Sequence, residues 1–419
     1  MTIGSARNGI YRLLRWSEKY TKTDMVYLAK GGGWMLFGRA VGMAATFFLS
    51  LALANLLPKE TFGQYKYVIS IANVLSLFTL SGMGTAVARA VAQGREGVID
   101  VAVRAEIRWG TIGGLLSATL GVFYYFGRHD IGLALAFFVL AIFAPFINVY
   151  SLYSSILQGK KLFPLSVRYD VYSQIINFAL MLVAILQTRQ VWLLILPFLF
   201  VNSWLQKIWL ARTRAQVGLN SVSDDETIKF GKDLSWMGAF NIFSTYFDQI
   251  AVFYFLGPVQ TAIYSMALAP TEQMKGVFKI VGAQALPKFA GQPLDASRKE
   301  ILDKSIKFGL SILVIILVYI VLAPWLYAFL FPAYGESVKY SQLFALSLVA
   351  TASMLPMNML QGQKQTSALY KWNVSSAIVS IVSILLGGYF YGLWGVVIAR
   401  TVSRFFDLIY LMVLAKQSK

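Results

Sequence analysis

The sequence has 419 residues, of which 57% are hydrophobic and only 13% charged, about half the charged share of a soluble domain. A net charge of +18 invites a nucleic-acid partner, but the Lys and Arg residues fall between apolar runs rather than in one basic domain. That distribution argues for no nucleic acid and for a membrane instead. Cysteine is absent and the one histidine, His129, sits in a short turn beside Asp130, so disulfides, thiol chemistry and cysteine metal sites are excluded.

In chain order, residues 1–28 read as a cytoplasmic amphipathic segment, with Arg7, Arg12, Arg15, Lys19 and Lys22 among Ile10, Leu13, Leu14 and Trp16, suited to lying on a membrane surface. No small-residue cleavage site of a signal peptide follows it. Twelve apolar runs then predict spans near 31–56, 64–88, 108–126, 131–157, 167–187, 190–210, 233–256, 259–287, 306–331, 340–361, 367–388 and 391–415. A helix of about 20 apolar residues crosses the hydrocarbon core. The runs are continuously apolar rather than alternating, so the expected fold is all-α, a polytopic membrane protein without spanning strands.

With the N-terminus placed inside, the inner segments hold most of the 37 Lys and Arg residues, while the outer ones hold only Lys59, Arg128, Arg189 and Lys339. By the positive-inside rule both termini are expected in the cytoplasm. An internal repeat supports an even division. At an offset of 199, Leu57 matches Leu256, Tyr65 matches Tyr264, Arg89 matches Lys288, Arg108 matches Lys307 and Gly110 matches Gly309. At an offset of 203, Leu157-Gln158-Gly159 matches Leu360-Gln361-Gly362. Six spans separate the copies, so the two lobes share one orientation. The expected organisation is a six-helix lobe over 29–212, a cytoplasmic linker over 213–228 and a second six-helix lobe over 229–419.

Enzyme chemistry finds no support. The Gly31-Gly32-Gly33 run has no Lys-Ser or Lys-Thr after it and is no phosphate-binding loop, and no histidine-based metal or nucleophile site can be assembled. No cofactor is expected. What carries information is a set of charges inside the spans, each costing about 2.5–3.5 kcal/mol on insertion scales. Arg39, Lys275, Lys279, Arg400 and Arg404 are the deep cations; Asp248, Glu272 and Asp407 are the deep anions. Lys275 and Lys279, like Arg400 and Arg404, are four apart and share a helical face. Two adjacent cations on one face suit an anion or a water-filled cavity. The bland alternative is local pairing, Glu272 with Lys275 and Arg404 with Asp407, each three residues apart. Asp248 shares a face with Asn241 and Ser244, which suits gating or coupling, or simply a partner for a cation on another helix. Pro145, Pro197, Pro270, Pro287, Pro324 and Pro356 are expected to bend their spans.

Leu157-Gln158-Gly159 and its copy, the turn from Leu57-Pro58-Lys59 to Gly63-Gln64-Tyr65, and Asp248-Gln249 shortly before Leu256-Gly257 resemble the polysaccharide flippases of the multidrug/oligosaccharidyl-lipid/polysaccharide exporter superfamily, most of all the Wzx-type O-antigen translocases. The resemblance implies two lobes around a central cavity in the bacterial inner membrane. It also implies transport of undecaprenyl-pyrophosphate-linked oligosaccharide to the periplasmic leaflet by alternating access. Lipid-linked oligosaccharide, membrane lipids and, as candidates, a glycan polymerase and other assembly proteins are the implied partners. Arg39, Lys275, Lys279, Arg400 and Arg404 would bind the pyrophosphate, and Asp248, Glu272 and Asp407 would gate or couple. A drug-efflux carrier of the same superfamily and a non-transporting scaffold for glycan assembly are the alternatives.

Overall fold

The computed structural model describes residues 25–222, 224–283, 294–363 and 365–417. The first 24 residues of the expected surface segment, Pro287 at the end of the span near 259–287, and Lys288, the repeat partner of Arg89, lie outside the described residues. Among those described, the chain is helical with no strand.

Helix α1 runs Met25–Leu56. Pro58 turns the chain and starts α2, made of Lys59–Thr79 and Met83–Ala92 with a 46° bend between them. Then follow α3 (Val98–Val122), α4 (Ile131–Gly159), α5 (Phe163–Gln187) and α6 (Val191–Val217). Asp225–Ala283 is one run of 59 residues, about 88 Å at 1.5 Å per residue and far beyond one crossing. It breaks at Gly257, whose φ of 84° only glycine adopts without strain, giving α7 (225–256) and α8 (258–283). Helix α9 is Leu294–Leu330 and α10 is Ser337–Gly362. Thr366–Gln417 breaks in the same way at Gly392, φ 58°, into α11 (366–391) and α12 (393–417).

Eight of the described helices are long and apolar enough to cross a membrane, or nine counting the bent α2. The two glycine-broken runs each supply a second crossing, and α3, apolar beyond its charged start at Arg104, Glu106 and Arg108, completes the twelve expected. Large apolar side chains such as Phe329, Tyr391, Phe126 and Ile142 stand exposed around the outside, a surface made for lipid rather than water. The chain is a multi-pass membrane protein.

The repeat is visible in the packing. Helix α4 is interrupted by a 3-10 turn at Ala144–Phe146, and α10 by one at Ser347–Ser353, which starts 203 residues later. Gly110 on α3 packs against Pro145, and its counterpart Gly309 on α9 packs against Val349 and Ala352. Tyr65 and Tyr264 are both buried, as are Leu157 and Leu360. Two of the expected bends are present, Pro145 in the 3-10 turn of α4 and Pro197 at the interruption of α6; α8 and α9 instead carry Pro270 and Pro324 within continuous helix, and the sharp breaks of the long runs fall at the two positive-φ glycines.

Helices α2 and α7 join the lobes along their length. A Cβ on Gly63 would lie 1.8 Å from the Pro258 carbonyl oxygen, so α2 touches the α7–α8 junction backbone to backbone. Further along, Tyr67 stacks on Phe253 with ring centroids 3.9 Å apart. The Ser70 hydroxyl donates to Gln249 at 2.6 Å, the Gly82 amide donates to Ser235 Oγ at 2.9 Å, and Gly231 accommodates Met83. At the end away from the basic loops, one buried apolar cluster spans both lobes, uniting Leu53, Phe62 and Tyr67 with Met266, Phe331 and Tyr334. Asn55 donates to the Leu330 carbonyl at 2.8 Å and Lys59 meets Glu336 at 3.5 Å there. The lobes are closed together at that end.

At the basic end the linker is shorter than expected, because α6 continues to Val217 and α7 starts at Asp225. Asp224 caps α7 by accepting from the Thr227 amide at 2.7 Å. It also pairs with Arg95 at 2.5 Å. The bonds to Thr227 first, then to Arg95, lower its carboxyl to about 2. Glu96, buried, holds Lys160 and accepts from the Asn220 amide at 2.8 Å; the Lys160 ammonium keeps its carboxyl below the usual range. The linker is thereby clasped to the loops of the first lobe.

Candidate functional site

Helices α7, α8, α10, α11 and α12 enclose a cavity of about 590 Å³ wholly within the second lobe. Its wall combines Glu272, Lys275, Arg400, Arg404 and Asp407 with hydroxyl and amide side chains, among them Ser244, Ser347, Asn373, Ser376 and Ser380. So polar a wall inside a lipid-embedded lobe is costly unless it serves a polar guest.

The charges fall into two groups. Arg400 Nε lies 3.3 Å from Asp248 Oδ2, the carboxylate buried and the guanidinium largely so. Its guanidinium also donates to the carbonyl of Ser244 at 3.2 Å. Asp248 is 1% exposed, accepts from the Tyr264 hydroxyl at 2.6 Å and from the Gln249 amide at 2.7 Å. The Gly257 break folds α8 back beside α7 and so brings Tyr264 to Asp248.

Arg404, one turn along α12, pairs instead with Glu272 on α8 and donates to Ser347 Oγ at 2.9 Å. Glu272 also meets Lys275 at 3.5 Å. Glu272 keeps 40% of its side chain exposed, against 1% for Asp248. Asp407 accepts from Trp372 Nε1 at 3.2 Å. Of the two local pairs weighed from spacing, Glu272 with Lys275 forms, whereas the described ion pair of Arg404 crosses to another helix. Spacing along one helix says nothing of what a neighbouring helix offers.

The structure thus brings together Asp248, Glu272, Lys275, Arg400, Arg404 and Asp407. The side chain of Lys279 lies outside the described residues. Arg39 is exposed on α1 and does not line the cavity; it stands one turn from Met43, which packs on Gly276 of α8. Three carboxylates accompany the three described cations, so the cluster is closer to neutral than the count of deep charges implies.

The expectation passes over two acidic residues in the first lobe. Glu106 on α3 is 4% exposed, and its Oε2 has no hydrogen-bond partner among the described residues. Asp170 on α5 accepts from the Tyr153 hydroxyl at 2.7 Å. Both stand beside Arg residues in sequence, Arg108 and Arg168, which gives them the look of span ends. The hydroxyl wall was legible in part: Asn373, Ser376 and Ser380 recur at helical spacing.

Among the described residues the helices form two repeated lobes, closed together at one end and holding a charged cavity. A sequence model described as "Polysaccharide biosynthesis protein" matches residues 28–291, and the chain belongs to that family. No curated protein matches it in sequence. Among solved structures it is similar to a lipid II flippase, MurJ, in an inward closed conformation, with TM-score 0.69 and 13% identity over 91% of this chain and 86% of that one. An outward-facing multidrug resistance MATE family transporter of the MOP superfamily gives TM-score 0.55 and 16% identity over 93% and 94%. A MOP superfamily transporter from Pyrococcus furiosus, described by the reverse polarity of its binding pocket, gives 0.55 and 16% over 93% and 97%. At these identities the likeness is one of fold, the fold of MOP-superfamily transporters.

Proposed function

We propose that the protein is a flippase carrying undecaprenyl-pyrophosphate-linked oligosaccharide from the cytoplasmic to the periplasmic leaflet of a bacterial inner membrane, for O-antigen or related surface polysaccharide. On this reading it makes and breaks no covalent bond, both termini are cytoplasmic, and a glycan polymerase is a candidate partner. The observation that carries the reading is the cavity of a polysaccharide-biosynthesis family member, where Lys275, Arg400 and Arg404 stand among hydroxyl and amide groups. Arginine engages phosphate oxygens in bidentate fashion, and hydroxyl and amide groups suit sugar. The cavity volume lies within the range of small-molecule sites, enough for the diphosphate and adjoining sugar but not for a whole glycan on its polyprenol. Arg39 and Lys279 are assigned to the path leading to it, and Asp248, Glu272 and Asp407 to gating or coupling during alternating access.

The test is deletion of the gene followed by lipid extraction. Lipid-linked oligosaccharide should accumulate on the cytoplasmic leaflet, with surface glycan lost. Unchanged glycan with increased sensitivity to cationic drugs would support efflux instead, a reading that Glu272 and Asp407 in the cavity wall favour.

A further inference from the structure

The two arginines of α12 are held by carboxylates of opposite character. Asp248 is sealed from the cavity, anchored by the Tyr264 hydroxyl and by a backbone amide. Displacing it would break the Tyr264 bond that ties α8 to α7. Glu272 stands in the cavity wall, 40% exposed. It is shared between Arg404 and Lys275, and no hydrogen bond from a backbone amide to it is described. A glutamate has free rotamers where it is exposed, so it can swing off Arg404 while the helices stay in place.

We infer that Glu272 is a built-in competitor for the anion site, and that it selects multivalent anions. An incoming anion reaches Arg404 and Ser347 only by replacing a carboxylate that already carries one negative charge and two acceptor oxygens. A monovalent anion exchanges like for like and gains little. A diphosphate brings more charge and more acceptor oxygens, enough to occupy Arg404 and Lys275 together, so it gains from the exchange. Specificity arises from what the wrong ligand fails to displace. The inference rests on the anion-binding reading of the cavity. It adds that the acidic residue among the cations is a filter rather than a structural neutraliser.

The experiment measures binding of inorganic pyrophosphate and of inorganic phosphate to the purified full chain in detergent, by calorimetry at mildly acidic pH where inorganic phosphate is chiefly the monoanion, for wild type, Glu272→Gln, Glu272→Asp and Arg404→Gln. Wild type is expected to prefer pyrophosphate by about tenfold or more, equivalent to about 1.4 kcal/mol. Glu272→Gln should bind both anions more tightly, phosphate most of all, so that the preference falls severalfold. Glu272→Asp keeps the charge but withdraws it by one methylene; it should give an intermediate preference and serves should the Gln variant fail to fold. Arg404→Gln should weaken both anions. Unchanged preference in folded Glu272→Gln and Glu272→Asp, with Arg404→Gln still weakened, would overturn the filter and leave the anion site standing. Absence of binding in wild type and all variants would overturn the site itself, and the filter with it.

Discussion

Asp248→Ala should destabilise the protein more than loss of any cavity-facing charge. The substitution leaves Arg400, only 12% exposed, as an unpaired cation inside a lipid-embedded lobe. Removing one partner of a buried ion pair costs about 3–5 kcal/mol. The Tyr264 hydroxyl, buried and donating to the same carboxylate, loses its acceptor, a further cost of about 1–3 kcal/mol. Asp248→Asn retains an acceptor oxygen for Tyr264 and should therefore fall short of Ala by roughly that second amount. The double variant Asp248→Leu with Arg400→Met removes both charges and should recover much of the loss, since apolar replacement of a buried pair is often neutral or better. Membrane abundance and the melting temperature of the purified protein in detergent are the readouts. If Asp248→Ala melts with wild type, or the double variant melts no higher than the single one, Asp248 and Arg400 are not the fixed pair described. Asp248→Asn that folds but transports normally at every pH and sodium concentration would separately remove any coupling role.

Gly63→Ala would set a Cβ 1.8 Å from the Pro258 oxygen and should force α2 from the α7–α8 junction, lowering abundance sharply in immunoblots of membranes. Orientation can be read directly because the chain lacks cysteine: Lys339→Cys should react with an impermeant thiol reagent in intact cells and Arg212→Cys should not, the reverse pattern inverting the topology. The carboxyl of Asp224 is depressed to about 2 by its bonds to Thr227 and to Arg95. A depressed carboxyl contributes stability that is present above its unfolded value of about 4 and is lost as pH falls towards 2. Linker cleavage by an acid-active protease should thus stay slow down to about pH 4 and accelerate below it, and Glu96→Gln should already raise tryptic cleavage at Arg214 at neutral pH.

Much of the fold was legible because oil is the signal: each apolar run long enough to cross lipid is a helix. The division of two long runs at Gly257 and Gly392 was legible as well, since the expected spans end beside both. The linker was not, because Thr213 and Asp225 are polar yet compatible with helix, and the extent of α6 and α7 depends on the clasp that Glu96 and Asp224 make with loops distant in sequence. At the site, the residue types and two pairings were legible, since Glu272 meets Lys275 and Asp248 partners a cation on another helix, Arg400; the partner of Arg404 was not. Arg404 and Asp407 are neighbours by helical spacing, but α8 presents Glu272 to Arg404 at closer range. Likewise the burial of Asp248 depends on the chain reversal at Gly257, which places Tyr264 opposite it.

The repeat also shows where function departs from scaffold. At the offset of 199, the first-lobe counterparts of Asp248, Glu272 and Lys275 are Leu49, Asn73 and Ser76. At 203, those of Arg400, Arg404 and Asp407 are Pro197, Val201 and Trp204. None is charged, although the 3-10 interruptions of α4 and α10 and the Gly110 and Gly309 packing correspond closely. Charges without a counterpart occur in the first lobe too, where Glu106 and Asp170 align with Ser305 and Asn373, but those two acidic residues do not line the cavity. A charge cluster gathered around one cavity in one copy, against the insertion cost each charge carries, supports the ligand role proposed above. It also makes the lobes unequal: the described charges around the cavity belong to the second lobe, and the first, joined to it along α2 and α7, offers no charge at the matching positions.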